Sequence, residues 1–166
     1  MIFVTVGTHE QQFNRLIEKI DTLIESGEIK EKVIIQSGFS TYTANNCICE
    51  KFISYSQMIK NIQQARIVIT HGGPATFIMP LQIGKIPVVV PRLKQFDEHV
   101  NNHQLEFAKQ VASRQGNIIL VEEIDELKNV LNKYDHIIEK MPKELASNNE
   151  RFNLGFDKIV NNLLNV

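Results

Sequence analysis

The stretch Ile67-Val68-Ile69-Thr70-His71-Gly72-Gly73-Pro74-Ala75-Thr76 joins an unbroken apolar run to a glycine pair and a proline. Such a run suits a strand buried on both faces of a mostly parallel sheet, because a half-exposed strand would alternate polar and apolar residues. Pro74 fits a first helical turn, where a missing amide hydrogen costs nothing. Gly72 and Gly73 would let a ligand approach the backbone closely. The stretch therefore reads as strand, turn and helix, with free amides and about half a positive charge at the helix start. A diphosphate would sit well there. The same spacing fits a plain tight turn, and His71 also reads as an ordinary buried histidine. The pattern is neither Gly-x-Gly-x-x-Gly nor a P-loop, which removes support from dinucleotide and triphosphate readings.

Outward from this stretch, short β-branched runs alternate with longer amphipathic segments, the pattern of a sheet with helices on its faces. Strands are expected near 2–6, 33–37, 48–53, 67–70, 86–90 and 118–121. Phe13, Leu16, Ile17, Ile20, Leu23 and Ile24 repeat at helical spacing, as do Ile124, Leu127, Leu131 and Tyr134. Capping boxes are expected at Thr8 with Gln11, Ser54 with Gln57, and Ser147 with Glu150. Residues 38–47 are polar, rich in turn formers and barely long enough for a helical crossover, which leaves a mixed sheet open. A last helix would carry Phe152, Phe156, Ile159, Val160 and Leu163 on one face, to pack on its own domain or on a partner. The fold class is α/β and Rossmann-like, in a single domain over 1–166.

The 166 residues are 43% hydrophobic and 22% charged, with a net charge of −1. Those values fit a globular protein and lack the positive field that nucleic acid requires, so no nucleic acid partner is expected. Cys47 and Cys49 lack the matching Cys/His pair of a zinc site and read as reduced packing residues. Neither a signal segment nor an apolar run of about 20 residues is visible, which predicts a cytoplasmic location. Without an Asp-x-Asp pair, no metal is expected.

Two further loops would share a crevice with the glycine turn, because ligands of doubly wound sheets bind beyond the carboxyl ends of strands. One is Pro91-Arg92-Leu93-Lys94-Gln95-Phe96-Asp97-Glu98-His99-Val100-Asn101-Asn102. Glu98, His99 and Asn102 could meet sugar hydroxyls from a helix start; the plain reading is a solvated first turn capped by Asp97. The other is Val6-Gly7-Thr8-His9-Glu10, where Gly7 permits a tight turn and His9 and Glu10 face either solvent or an acceptor.

Three ordered blocks carry a resemblance: Phe3-Val4-Thr5-Val6-Gly7-Thr8, Ile69 to Thr76, and Asn101-Asn102-His103-Gln104-Leu105-Glu106-Phe107-Ala108. Over nearly its whole length the chain resembles Alg13-like catalytic subunits of two-component glycosyltransferases, bacterial capsule and exopolysaccharide subunits among them. More distantly it is similar to the family 28 C-terminal domain of MurG-type enzymes. The resemblance implies the C-terminal half of a GT-B enzyme that inverts the anomeric centre and takes a UDP-sugar as donor, without a further cofactor. It also implies an Alg14-like, membrane-anchored partner that presents a polyprenyl-diphosphate-linked acceptor, and so a peripheral place at the membrane. By position, Gly72, Gly73, Pro74, Ala75 and Thr76 with His71 resemble the diphosphate site. Phe52, Ile53 and Met58 resemble the uracil-lining segment. Glu98 and His99 occupy the positions that touch the donor sugar, with Gln95 and Asn102 nearby and Gly7 and Thr8 across the crevice.

One position departs from these relatives: the glutamate that would hold ribose is Met79 here. The Gly-Gly-Pro-Ala-Thr-Phe form leans the donor towards UDP-galactose and a β-1,4 transfer. The general base is expected from the partner, with His9 as the fallback in this chain. The rival reading is a non-catalytic UDP-sugar-binding or enhancer module. A nicotinamide-dependent oxidoreductase is disfavoured, since Gly7-Thr8-His9-Glu10 lacks the second and third glycines. A half-enzyme with exposed apolar residues also predicts a homodimer when alone.

Overall fold

A computed structural model describes residues 1–141 together with Phe156, Asp157 and Ile159. The elements run in the order β1 (Ile2–Thr5), α1 (Asn14–Glu25), β2 (Val33–Gln36), β3 (Ile48–Glu50), α2 (Tyr55–Gln64), β4 (Ile67–His71), α3 (Pro74–Gln82), β5 (Val88–Val90), α4 (His103–Gln115), β6 (Ile119–Leu120) and α5 (Leu127–Glu139). Short 3-10 turns at Lys94–Phe96 and Ile124–Glu126 interrupt the loops after β5 and β6.

The six strands form one sheet in the order β3-β2-β1-β4-β5-β6, and each pair is parallel. The expected Rossmann-like class holds, and the mixed sheet left open by residues 38–47 does not arise. The chain builds outward from β1 to β3, returns to lay β4 beside β1, and then builds the other way. Strand order therefore reverses between β1 and β4, which opens a crevice at their carboxyl ends.

Helices cover both faces. Leu16, Ile17, Ile20 and Leu23 of α1 and Leu127, Leu131 and Tyr134 of α5 pack on Val4, Ile35, Ile69 and Val90. Opposite them, Ile62 of α2 packs on Phe3 and Val68, while Phe77 and Leu81 of α3 and Ala108 of α4 pack on Val89. Among the described residues, no helix is long and apolar enough to cross a membrane.

The joint between β2 and β3 crosses over without a helix, so its backbone polar groups need other partners. Helix α1 supplies them. Asn14 Oδ1 accepts the amides of Thr41 and Tyr42 at 2.8 and 3.0 Å. Asp21, only 3% exposed, accepts the Tyr42 hydroxyl at 3.0 Å and the amides of Asn45 and Asn46.

The caps divide. Ser54 Oγ accepts the Gln57 amide at 3.2 Å, but the Gln57 side chain reaches Asn61 rather than closing the box. Thr8 and Gln11 form no box, because α1 starts at Asn14 and Thr8 is exposed. Asp97 does not cap the start of α4; it ends the 3-10 turn at φ 54°, and α4 starts at His103. Cys47 packs partly on the core and Cys49 is exposed on the edge strand, both as free thiols. Burial pushes the Cys47 thiol up to about 12. The box at Ser147 and Glu150, and Phe152, Val160 and Leu163 of the last apolar stripe, lie outside the described residues. Phe156 and Ile159 of that stripe are helical and exposed.

Asp21→Ala should destabilise the protein by about 1.5–3 kcal/mol at pH 7, the usual worth of hydrogen bonds to a charged group. Burial pushes the Asp21 carboxyl up, but the two amides and the Tyr42 hydroxyl outweigh it and hold the group below its ordinary 3.8. Its contribution is thus complete above that value and lost as pH falls through the depressed one. Urea unfolding should show the gap between variant and parent closing below about pH 4.

Candidate functional site

The loops that follow β1, β4 and β5 meet at the switch point, and buried polar side chains fix each of them. Gln36, at the end of β2, accepts the Thr5 hydroxyl at 2.7 Å and the Gly7 amide at 3.1 Å, and donates to the Gly7 carbonyl at 2.9 Å. Gly7 sits at φ +78°, a conformation that a side chain strains.

His71 stands at the centre. Its Nδ1 accepts the Gly73 amide at 3.0 Å, and its Nε2 lies 3.1 Å from Thr76 Oγ1, which donates to the Gly73 carbonyl at 2.7 Å. Those contacts select the neutral tautomer with its proton on Nε2. Burial, aided by the Arg92 cation, pushes the His71 pKa down to about 4, so the ring is neutral at pH 7.

The glycines are explained by this ring. A Cβ on Gly7 would fall 2.4 Å from His71 Nε2, and one on Gly73 would fall 2.2 Å from Cε1. Gly72 is buried, and a Cβ there would meet Gln104 Cβ at 2.8 Å. Packing of this ring and of α4 therefore accounts for both glycines without a ligand. Gly72 serves packing against α4, and the Gly73 amide is already capped by His71. What remains open at the start of α3 is the exposed turn of Pro74 and Ala75.

His9 and His99 face each other across the crevice, ring centroids 4.9 Å apart. His9 Nδ1 accepts the Gln11 amide at 3.2 Å and His99 Nδ1 accepts the Asn101 amide at 3.4 Å. With Nδ1 engaged as an acceptor, each neutral ring carries its proton on Nε2 and presents a donor. Burial, with repulsion from His99 and Arg92, lowers the His9 pKa below its ordinary 6.5.

Beneath these imidazoles lies Arg92, 0% exposed. It donates to the carbonyls of Val6, Gln11, Gln12 and Glu98 at 2.8–3.1 Å, and its guanidinium lies 4.9 Å from the Phe13 ring centroid. Burial lowers its pKa to about 10, which leaves it cationic at neutral pH. Glu98, also 0% exposed, is held by Arg15 and by the Leu93 amide. Its carboxylate lies inside the crevice wall rather than in the crevice.

The other expected residues spread around this centre. Thr8 and Gln95 are exposed. Asn102 stands just before α4, but its Oδ1 accepts the Lys94 amide at 2.9 Å instead of capping the helix. Phe52 is half exposed and makes an edge contact with Phe39 at 5.4 Å, while Ile53 and Met58 pack partly into the core below α2. Met79 packs into that same cluster. A groove of about 510 Å³, lined by Gln12, Arg15, Phe96 and Glu98, runs behind the β5 loop. A cavity of about 540 Å³ opens elsewhere, between Arg66, Lys85 and Tyr134. Neither is lined by the glycine turn.

Arg15, Gln36, Arg92 and Gln104 were not singled out from the sequence. Each reads locally as a residue that water could solvate, and only Gln36, inside an expected strand, and Arg92, just after the buried run of β5, carry a hint of burial.

The glycosyltransferase family 28 C-terminal domain matches residues 1–163. The chain is 34% identical over 119 residues to the human UDP-N-acetylglucosamine transferase subunit ALG13, covering 66% of this chain and 10% of that protein. It thus spans about a tenth of that relative's length. Among solved structures, the glycotransferase of kitacinnamycin superposes with a TM-score of 0.56 at 17% identity, over 80% of this chain and 34% of the other. The glycosyltransferase SnogD from Streptomyces nogalater gives 0.49 at 16% identity, over 85% and 39%.

Gly73→Ala should cost about 1–3 kcal/mol through overpacking against His71, and most of that loss should vanish in a His71→Ala background. Gly7→Ala should stay costly in both backgrounds, because its positive φ persists when the ring is removed. Chemical denaturation of the three single and two double variants reads both effects.

Proposed function

Since the chain belongs to the glycosyltransferase family 28 C-terminal domain family, we propose that it is the donor-binding catalytic subunit of a two-component inverting glycosyltransferase. It moves a hexose from a UDP-sugar to a polyprenyl-diphosphate-linked acceptor in capsule or exopolysaccharide synthesis. An Alg14-like partner anchors it at the membrane and presents the acceptor. The observation that carries this reading is the convergence of an exposed helix start, two imidazole donors and a buried cation at the switch point. The name of the human relative supports both a UDP-sugar donor and a subunit that works within a larger enzyme.

In this reading the diphosphate lies against the Pro74-Ala75 turn, where the dipole of α3 favours negative charge. His9 and His99 donate from Nε2, and Arg92 adds positive potential from below. These fixed charges meet the negative charge that grows on the UDP leaving group as the acceptor oxygen attacks the opposite face of the anomeric carbon. His9 suits holding phosphate better than taking a proton from the acceptor, since Nε2, the nitrogen it presents, already carries one while Nδ1 faces the Gln11 amide. The base therefore comes from the partner half. No metal or further cofactor takes part.

The Gly-Gly-Pro-Ala-Thr-Phe form leans towards UDP-galactose, whereas the human relative is named for UDP-N-acetylglucosamine. Thermal shifts with UDP-galactose, UDP-glucose and UDP-N-acetylglucosamine separate them. The true donor should stabilise the fold by about 2.7 kcal/mol at a hundredfold excess over its Kd. Stabilisation by none of the three overturns the donor-site reading. The withdrawn position of Glu98 is what favours the rival, a UDP-sugar-binding module without chemistry of its own. Transfer to a lipid-linked acceptor by the reconstituted pair, lost on His99→Ala with the donor still bound, excludes that rival.

Binding should also strengthen as pH falls. The diphosphate of a UDP-sugar has no proton to exchange near neutrality, while His9 starts below 6.5 and is raised by a bound anion. Binding then takes up a proton, so calorimetry between pH 8 and 5.5 should show Kd falling with pH. His9→Ala should flatten that dependence.

A further inference from the structure

Glu98 stands where the resemblance places a donor-sugar contact, yet its oxygens are committed elsewhere. Arg15 Nε donates to Oε1 and Nη2 to Oε2, both at 2.9 Å, and the Leu93 amide donates to Oε2 at 3.0 Å. The Glu98 backbone is fixed as well: its amide donates to the Leu93 carbonyl and its carbonyl accepts from Arg92. Arg15 also donates to the Pro91 carbonyl at 3.1 Å, so one guanidinium on α1 holds both ends of the loop after β5. Its side chain is 14% exposed and lies 4.8 Å from the Phe96 ring centroid.

The residue that follows this fixed point is His99, whose ring meets His9 at 4.9 Å. Resting on the donor-site reading above, we infer that Arg15 is a positioning residue. It holds Glu98 inside the wall, and Glu98 in turn sets His99 opposite His9. Glu98 then shapes donor binding without touching the sugar. A paired fork also explains why a carboxylate is tolerated there with no exposure, since a bidentate guanidinium and an amide replace its water.

The test uses the full chain carrying Arg15→Met, Arg15→Lys, Glu98→Gln and the Arg15→Met/Glu98→Gln pair. Nuclear Overhauser contacts between the His9 and His99 rings need no activity and so stand apart from the functional reading. With the partner and the preferred UDP-sugar, kcat and KM are then measured well below the unfolding temperature of each variant. Arg15→Met and Glu98→Gln should each abolish the ring contact and lower kcat about tenfold or more, the scale expected for a displaced site group. The double variant should be no worse than the worse single one, because both remove the same constraint. Arg15→Lys, which keeps the charge and stem but not the fork, should fall between and serves where Arg15→Met fails to fold. Loss of turnover on Glu98→Gln, with ring contact and turnover intact in Arg15→Met and Arg15→Lys, would overturn the inference and make Glu98 a direct contact. A parent chain that binds no UDP-sugar but shows the Arg15-dependent ring contact would sink the functional reading alone.

Discussion

A buried guanidinium holds the crevice end of the sheet together. Arg92 leaves the end of β5 and donates to carbonyls that lie in the loop after β1 and, at Glu98, in its own loop. Stripping a cation of water costs several kcal/mol, and only good geometry with well-placed acceptors offsets that cost. Four carbonyl oxygens, bonded to Nη1 and Nη2, and the face of Phe13 provide most of the compensation here, while Nε is buried without a partner among the described residues. The same oxygens would otherwise be unpaired in the interior. Loop and side chain thus solve each other's problem.

The chemistry of the site follows from that choice. Burial, with the fixed positive charge of Arg92 adding to it, keeps His71 neutral and able to accept the Gly73 amide. The glycine turn is then a fitted socket for a ring, with Gly7 and Gly73 bare because the imidazole fills the space of their side chains. Arg15 extends the scheme sideways: it pairs with Glu98, stops a second buried charge from going unpaired, and ties α1 to the same loop. Asn14 and Asp21 on that helix meanwhile support the non-helical crossover. Helix α1 therefore anchors the first and fifth strand loops as well as the joint between β2 and β3.

Much of this was legible in the residues. Continuous apolar runs at Ile67-Val68-Ile69 and Val88-Val89-Val90 announced doubly buried strands, and both lie in the middle of a parallel sheet. The turn from strand to helix at Gly72-Gly73-Pro74 fell where it was expected. Capping proposals fared less well: Ser54 caps, but Thr8 and Asp97 do not, because a cap depends on the backbone geometry of the entering loop as much as on residue type. The crossover at 38–47 looked barely long enough for a helical connection and left a mixed sheet open, since side chains of a distant helix satisfying its amides leave no trace in local spacing.

The sequence by itself determined the alternation of strands and helices, a mostly parallel sheet and the position of the glycine turn, because each rests on neighbours within a few residues; the direction of the edge strand β3 came only with the fold. Tertiary structure alone decided which polar side chains are buried and what they hold. Arg92 reaches Val6 across 86 residues, and Arg15 reaches Glu98 across 83. A charged residue in a loop reads the same whether water or a distant carbonyl will satisfy it. Only the closed fold supplies the oxygens that make burial affordable.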